Sequence, residues 1–467
     1  MTVLAPEPVE VAATPDQAYT ATLRITPPRA HIGETVEITG SGYPAGARVE
    51  LVWYTVQGRY ELLGGTEFVG QTYDDFFGVL GSAVASADGD IRMSVVVPTD
   101  FGGAHDVRAR LDGQEVSQAS LSIQPTIFLV PEEGPVGTPV ELHVVGVDCR
   151  PSLNTWHVLY DNRYLGQASA VTTRGVAVAR FRATGPVGPH VIGAWNNSFN
   201  NTPYLAWDTG PFRDIVGPGT ELVFRTTADP GPSDPSVDDF AATDRPWASL
   251  TRGPAHLELS VDRGTPGTLT TLIASGLPAG EQVELLWWTT VGNRITAGGY
   301  EEHAEPLASV RTDGHGVLTW EFPIPDDLGG HHRIDAAIDG QAFGSVGLVI
   351  LPRLVAFEPR RVHAGERLAL HIKGLGWTTF DNTYTVTYDN AHIGYVCGFS
   401  TNGDVRFSVT AVGAPGTHLI DLYPTIYRST DPARMPRGVY SVPQLTYADD
   451  HPGRRTPAFH LSFEIVP

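Results

Sequence analysis

The chain repeats itself. Ser41-Gly42-Tyr43-Pro44-Ala45-Gly46, followed by Val49-Glu50-Leu51-Val52-Trp53, returns as Ser275-Gly276-Leu277-Pro278-Ala279-Gly280, followed by Val283-Glu284-Leu285-Leu286-Trp287. Tyr160-Asp161-Asn162 returns as Tyr388-Asp389-Asn390. From Pro131/Pro359 to His190/His418 the second family of matches keeps one offset of 228 residues. Self-similarity at fixed spacing means one unit built several times, so architecture is decided before any single residue is weighed.

Four units follow in the order A-B-A′-B′, at 21–124, 125–226, 255–352 and 353–467, with a leading segment 1–20 and a linker 227–254. Each unit carries period-two alternation: Val36 to Gly40 in A, Val140 to Val144 in B, Leu368 to Ile372 in B′. That period marks strands with one buried face. In A, B and B′ a proline precedes it (Pro27, Pro131, Pro359), as suits an edge strand or a bulge. Asp88-Gly89, Arg174-Gly175, Asp313-Gly314 and Asn402-Gly403 supply turns before a later strand, and the strand after that opens on glycine. The 51 glycines and 37 prolines fit many short strands joined by turns. The expected fold is all-β: four tandem immunoglobulin-like β-sandwiches arranged as a duplicated pair. Gly42 and Gly276, where the first long strand ends, are expected at positive φ. The insertion from Gln57 to Ala85 is longer in A than its counterpart in A′ and reads as a loop; 227–254, rich in Pro, Asp, Ser and Gly, reads as extended linker.

The run Gly33-Glu34-Thr35-Val36-Glu37-Ile38-Thr39-Gly40-Ser41-Gly42-Tyr43-Pro44 resembles the opening of IPT/TIG-type bacterial immunoglobulin-like domains. A′ repeats it from Gly267, with Thr271 to Pro278, while B and B′ keep only Gly146 and Gly374-Leu375-Gly376. The resemblance implies spacer, adhesive-stalk or carbohydrate-associated roles at a cell surface, and it brings no catalytic residue. Fold alone does not carry such a role over.

Net charge is −21, and Lys373 is the only lysine beside 30 arginines. An acidic surface argues against nucleic-acid partners and anionic membranes. No run of 18 apolar residues supports membrane insertion, and no signal peptide is recognised in Met1 to Thr20. The lysine-poor, arginine-rich composition fits a GC-rich prokaryotic or phage genome.

Catalytic motifs fail one by one. His331-His332 point to opposite faces of a strand, and no His-Glu-x-x-His pattern occurs. Ser41 between two glycines lacks the nucleophile-elbow pattern. Asp161-Asn162 and Asp389-Asn390 read as turn chemistry, and Asp74-Asp75 as a solvated turn rather than a calcium site. His105 aligns with His332 and His190 with His418, so their recurrence reads as a structural hydrogen bond. No enzyme activity, cofactor or metal is expected.

The candidate contacts are aromatic residues in the insertions of B and B′: Trp195, Tyr204 and Trp207, with Tyr423, Tyr427 and Tyr440. Long loops on a rigid sandwich suit binding, and aromatic faces beside amides suit sugar rings. The competing reading is that these rings pack on their own domains. The function expected is a structural or adhesive protein, extracellular or at the cell surface, that binds a surface glycan or a protein partner. The alternatives are a component of a virion or other large assembly, and an accessory module of a carbohydrate-active enzyme system.

Overall fold

A computed structural model describes residues 19–150, 153–196, 203, 219–230, 236–237, 253–292, 300–398, 402–426, 442–452 and 456–467. Among these residues every regular element is a β-strand, and no helix is long and apolar enough to cross a membrane. The chain divides into two compact units. One holds Met1–Gln57 with Tyr73–Thr126, the other Gly58–Thr72 with Ile127–Pro467.

The repeat seen in the sequence is a repeat of topology. In A, the strands Thr22–Thr26, Thr35–Ser41 and Ile91–Val96 form a three-stranded sheet. Opposite it stands a five-stranded sheet in the order Arg29–His31, Gln114–Gln124, Gly103–Leu111, Arg48–Leu63, Glu67–Val84. B and A′ repeat the same two sheets in the same order, and B′ does so with Ser236–Val237 as a sixth strand in the larger sheet. The chain is thus an all-β array of four tandem immunoglobulin-like sandwiches, arranged as a duplicated pair.

The proline after the first strand marks a change of sheet. Thr22–Thr26 pairs antiparallel in one sheet; beyond Pro27, Arg29–His31 pairs parallel with Ser122–Gln124 in the other. The same switch follows Pro131 and Pro359, and A′ makes it without proline, Arg263–Gly264 pairing with Val349–Ile350. The strand expected to open on glycine does so four times, at Gly103, Gly188, Gly330 and Gly416. Alternation places Ile38, Leu51, Leu142, Leu272 and Leu370 in the cores, each nearly or fully buried. Gly42 and Gly276 have φ of +89° and +79°, as the turn leaving the first long strand requires.

One expectation is corrected. The insertion Gln57 to Ala85 is no loop: Arg48–Leu63 and Glu67–Val84 are neighbouring strands of one long hairpin. Gly64 and Gly65, at φ +60° and +74°, make a two-residue turn closed by Thr66 N–H donating to the Leu63 carbonyl at 3.2 Å. Two positive-φ residues in a row are what such a hairpin needs. Asp74 and Asp75 accordingly lie exposed on a strand. Within the linker, Ser236–Val237 pairs antiparallel with Phe459 and His460 of B′.

Candidate functional site

The four aligned histidines hold the sandwiches together. Each takes the carbonyl four residues before it as the partner of its Nε2: Phe101 for His105 (2.7 Å), Pro186 for His190 (2.8 Å), Leu328 for His332 (2.7 Å) and Ala414 for His418 (2.9 Å). In A and A′ the ring stacks on a tryptophan, Trp53 or Trp287, with centroids 4.5 and 4.4 Å apart. Those indoles donate to Asp100 and Asp327 at 2.7 and 2.8 Å. In B and B′ the ring packs by Tyr160 or Tyr388, whose hydroxyls donate to the Thr184 and Val412 carbonyls. Burial raises both phenols to about 12. The structural hydrogen bond read from the sequence is therefore present in all four units.

The same strands in B and B′ lead into the turns Asp161-Asn162 and Asp389-Asn390. All four residues have φ between +46° and +62°, which confirms the turn reading. Each aspartate receives a histidine Nδ1 at 2.6 Å and a backbone N–H at 2.9 Å. The two turns then part company. Asp389 also accepts from Thr184 Oγ1 of B at 3.0 Å, and Asn390 Nδ2 donates to the Arg182 carbonyl at 2.7 Å. The turn of B′ is thus docked on a strand end of B.

An ion pair deepens this junction. Arg182 of B donates Nε to Asp421 of B′ at 2.9 Å and a terminal nitrogen to the Leu461 carbonyl at 2.7 Å. His460 Nδ1 lies 2.8 Å from the same carboxylate oxygen. Asp421 is 1% exposed. Burial pushes its pKa up, but the Arg182 charge and the His460 hydrogen bond outweigh that and hold it below the usual carboxylate range. The repeat mate of Asp421 is Gly193, so this pair exists once, between the copies rather than within each.

Asp450 closes a second lock. It accepts from Ser169 Oγ (2.6 Å), Val171 N–H (2.9 Å), and both the N–H and Oγ1 of Thr172 (2.8 Å each). Tyr60, in the hairpin tip that belongs to this unit, donates its hydroxyl as well. The tip also places Thr66 and Phe68 against Thr379.

Between these locks, Pro443–Leu445 of B′ lies along B. Gln167 N–H donates to the Pro443 carbonyl at 2.9 Å, Leu445 N–H to Gln167 at 2.8 Å, and Arg180 N–H to Leu445 at 2.9 Å. Gln167 and Arg180 belong to the edge strands of the two different sheets of B, Arg163–Ser169 and Val176–Arg182. The segment therefore bridges the open side of the sandwich. Leu445, 0% exposed, enters the core of B together with Tyr423, Tyr447, Ala448 and Ala458. A cleft of about 1330 Å³ lies beside the junction, lined among others by Tyr160, Asp161, Arg163, Ile393, Val409 and Val412.

Of the six aromatic residues singled out from the sequence, Trp195 is half-buried, and its ring lies over Gly219. Tyr423 is fully buried, its ring near Tyr447 and His460. Tyr204, Trp207, Tyr427 and Tyr440 lie outside the described residues. The junction residues Arg182, Asp421, Leu445 and Asp450 were missed. Asp421 alone carried a signal, a carboxylate in an otherwise apolar strand. Among the described residues no group of three or more His, Cys, Asp or Glu is placed to hold a metal ion.

No family model matches the chain, and no curated protein matches it. Among solved structures it is similar over 96% of its length to the whole of a tetra-tandem repeat from the extending region of a large adhesion protein, at 11% identity and a TM-score of 0.22. It is similar over 96% to the whole of a D1–D4 ectodomain fragment of ICAM-5, at 13% identity and a TM-score of 0.18. It is similar over 71% to 91% of a putative membrane-anchored protein from Corynebacterium diphtheriae, at 13% identity and a TM-score of 0.19. Likenesses this distant add nothing on function, and the fold assignment rests on the sheets described above.

Proposed function

We propose that the chain is a non-enzymatic structural or adhesive array at a cell surface, binding a surface glycan or a protein partner. One observation carries this reading: the aligned histidines and the turn and junction aspartates are engaged in the framework. His105, His190, His332 and His418 each tie a strand to the carbonyl four residues before it. Asp161 and Asp389 hold turns, and Asp421 and Asp450 join B to B′. The buried junction supports a load-bearing or scaffolding role, since it converts two repeats into one body. Trp195, Tyr204, Trp207, Tyr427 and Tyr440 are proposed as contacts; Tyr423, fully buried, contributes packing.

The test uses the immobilised full chain, presented to a glycan array and to a solubilised envelope fraction of its source cells. Saturable retention of a glycan or of one envelope protein, with the retained material unchanged, is expected. Retention of neither, or release of a cleaved or modified product, would overturn the reading.

A further inference from the structure

B and B′ are copies, yet their open sides differ. In B the side is filled by Pro443–Leu445. In B′ the matching side lies between Ala391–Cys397 and Val405–Thr410, the edge strands of its two sheets. The 228-residue offset equates Leu165 with Ile393, Gly166 with Gly394, Gln167 with Tyr395 and Arg180 with Ser408.

Burial differs between the two sides, whose edge strands also approach each other where the rings of Tyr164 and His392 stand 6.4 Å apart. Leu165 is 0% exposed, and its mate Ile393 is 51% exposed; Tyr395 is also 51% exposed. The glycine pair is more telling. A Cβ added at Gly166 would stand 2.6 Å from the Pro443 carbonyl oxygen and 3.0 Å from Leu445 Cγ, whereas one at Gly394 would meet nothing within 4 Å among the described residues. Glycine in a strand often marks close approach of another backbone. In B that backbone is present, and in B′ no described residue fills the same clearance. The cleft of about 1330 Å³ borders it through Ala391, Ile393, Val409, Thr410 and Val412.

We propose that this side of B′ is an acceptor for an extended peptide segment of another protein, seated as Pro443–Leu445 is seated on B. The segment would pair its backbone with the edge at Tyr395 and Ser408, the mode by which exposed sheet edges take up strands. It would carry an aliphatic residue where Leu445 sits, packed among Ile393, Val409 and Val412. A second copy of this chain is the poorer occupant, because its own Val442 to Ala448 is engaged on B and releasing it would expose Leu445. The inference goes beyond the adhesive reading and does not depend on it, since it rests on the comparison of two repeats.

A labelled peptide with the sequence Val-Pro-Gln-Leu-Thr-Tyr-Ala, that of residues 442–448, is titrated into the full chain, with hydrogen exchange followed by mass spectrometry. Saturable binding is expected, with slowed exchange in 393–397 and 405–410 and unchanged exchange in 165–169. Ile393→Glu, an exposed position, and a peptide with Asp in place of its Leu should each weaken binding by about tenfold or more. Protection confined to 165–169 and 176–182 would mean that the peptide only displaces the internal segment. That result, or no saturation up to about 1 mM, or full affinity in both variants, would overturn the proposal.

Discussion

Tyr60 donates its hydroxyl hydrogen to Oδ2 of Asp450 across 2.9 Å, although 390 residues separate them. The contact lies within one compact unit, because the hairpin tip Gly58–Thr72 belongs with the sandwiches B, A′ and B′. Asp450 also receives Ser169, Val171 and Thr172. A carboxylate suits such a set of donors, since it accepts at both oxygens and donates nothing. Asp450→Asn puts an amide N–H₂ where an acceptor is needed. It should destabilise this unit by about 2–4 kcal/mol, whereas Tyr60→Phe should cost about 1 kcal/mol. Urea titrations of both variants give the comparison, and equal effects would count against the carboxylate as the centre of the cluster.

Leu445 lies in the sequence of B′ and in the core of B. Leu445→Ala should cost about 2–5 kcal/mol. The loss should appear in B: amides of Pro139–Val145 should exchange faster, while those of Arg367–Lys373, the equivalent strand of B′, change less. Residue-resolved hydrogen exchange decides it, and loss confined to B′ would contradict the shared core.

Arg182 and Asp421 are both buried, with side chains 8% and 1% exposed. Arg182→Met leaves the carboxylate without its guanidinium in an apolar junction, at a cost of about 3–5 kcal/mol. Replacing both by well-packed apolar residues, Arg182→Met with Asp421→Leu, should recover much of that loss. Asp421 has a folded pKa below its unfolded value, so its contribution is present above the unfolded carboxylate range and is lost as pH falls through the folded value. Acid titration of stability in wild type and double variant should differ in that window.

His418 behaves in the opposite sense. Its hydrogen bond to Asp389 raises its pKa, against the opposing effect of burial. A raised histidine stabilises the fold while protonated. Its contribution is full below the unfolded value near 6.5 and is lost as pH rises through the higher folded value. The urea midpoint should therefore fall as pH rises above the unfolded value, and His418→Gln should flatten that part of the profile.

Gly42→Ala and Gly276→Ala force a Cβ into left-handed backbone at φ +89° and +79°. Each should cost about 1–2 kcal/mol. An equivalent change at Gly314, which has no positive φ, should cost less; thermal melts of the three variants test the order.

What the sequence revealed was local. The alternation at Val36 to Gly40, the glycine opening each later strand, and the Asp-Asn turns are short-range signals, and all appear where expected. The long hairpin had a local signal in Gly64-Gly65, whereas the length difference between copies pointed to a loop. In A′ the turn forms near the Asp313-Gly314 signal, with its positive φ at Gly316. The junction was not legible. Leu445 stands in Val-Pro-Gln-Leu-Thr-Tyr, without strand periodicity, and its partner Gln167 is remote in sequence. Tyr423 and Tyr447 announced an aromatic insertion, but aromatic content is the same whether rings face a ligand or a neighbouring core.

The backbone pairing of Pro443–Leu445 with Gln167 and Arg180 has a mechanical meaning. Covalently, A′ stands in series between B and B′. Through the junction, B and B′ are also joined directly, so tension applied across them has a second path that bypasses A′. Under pulling, A′ would be shielded until Leu445, the Arg182–Asp421 pair and the Asp450 contacts had all parted. The chain of A′ and its linker is then length held in reserve behind the whole junction.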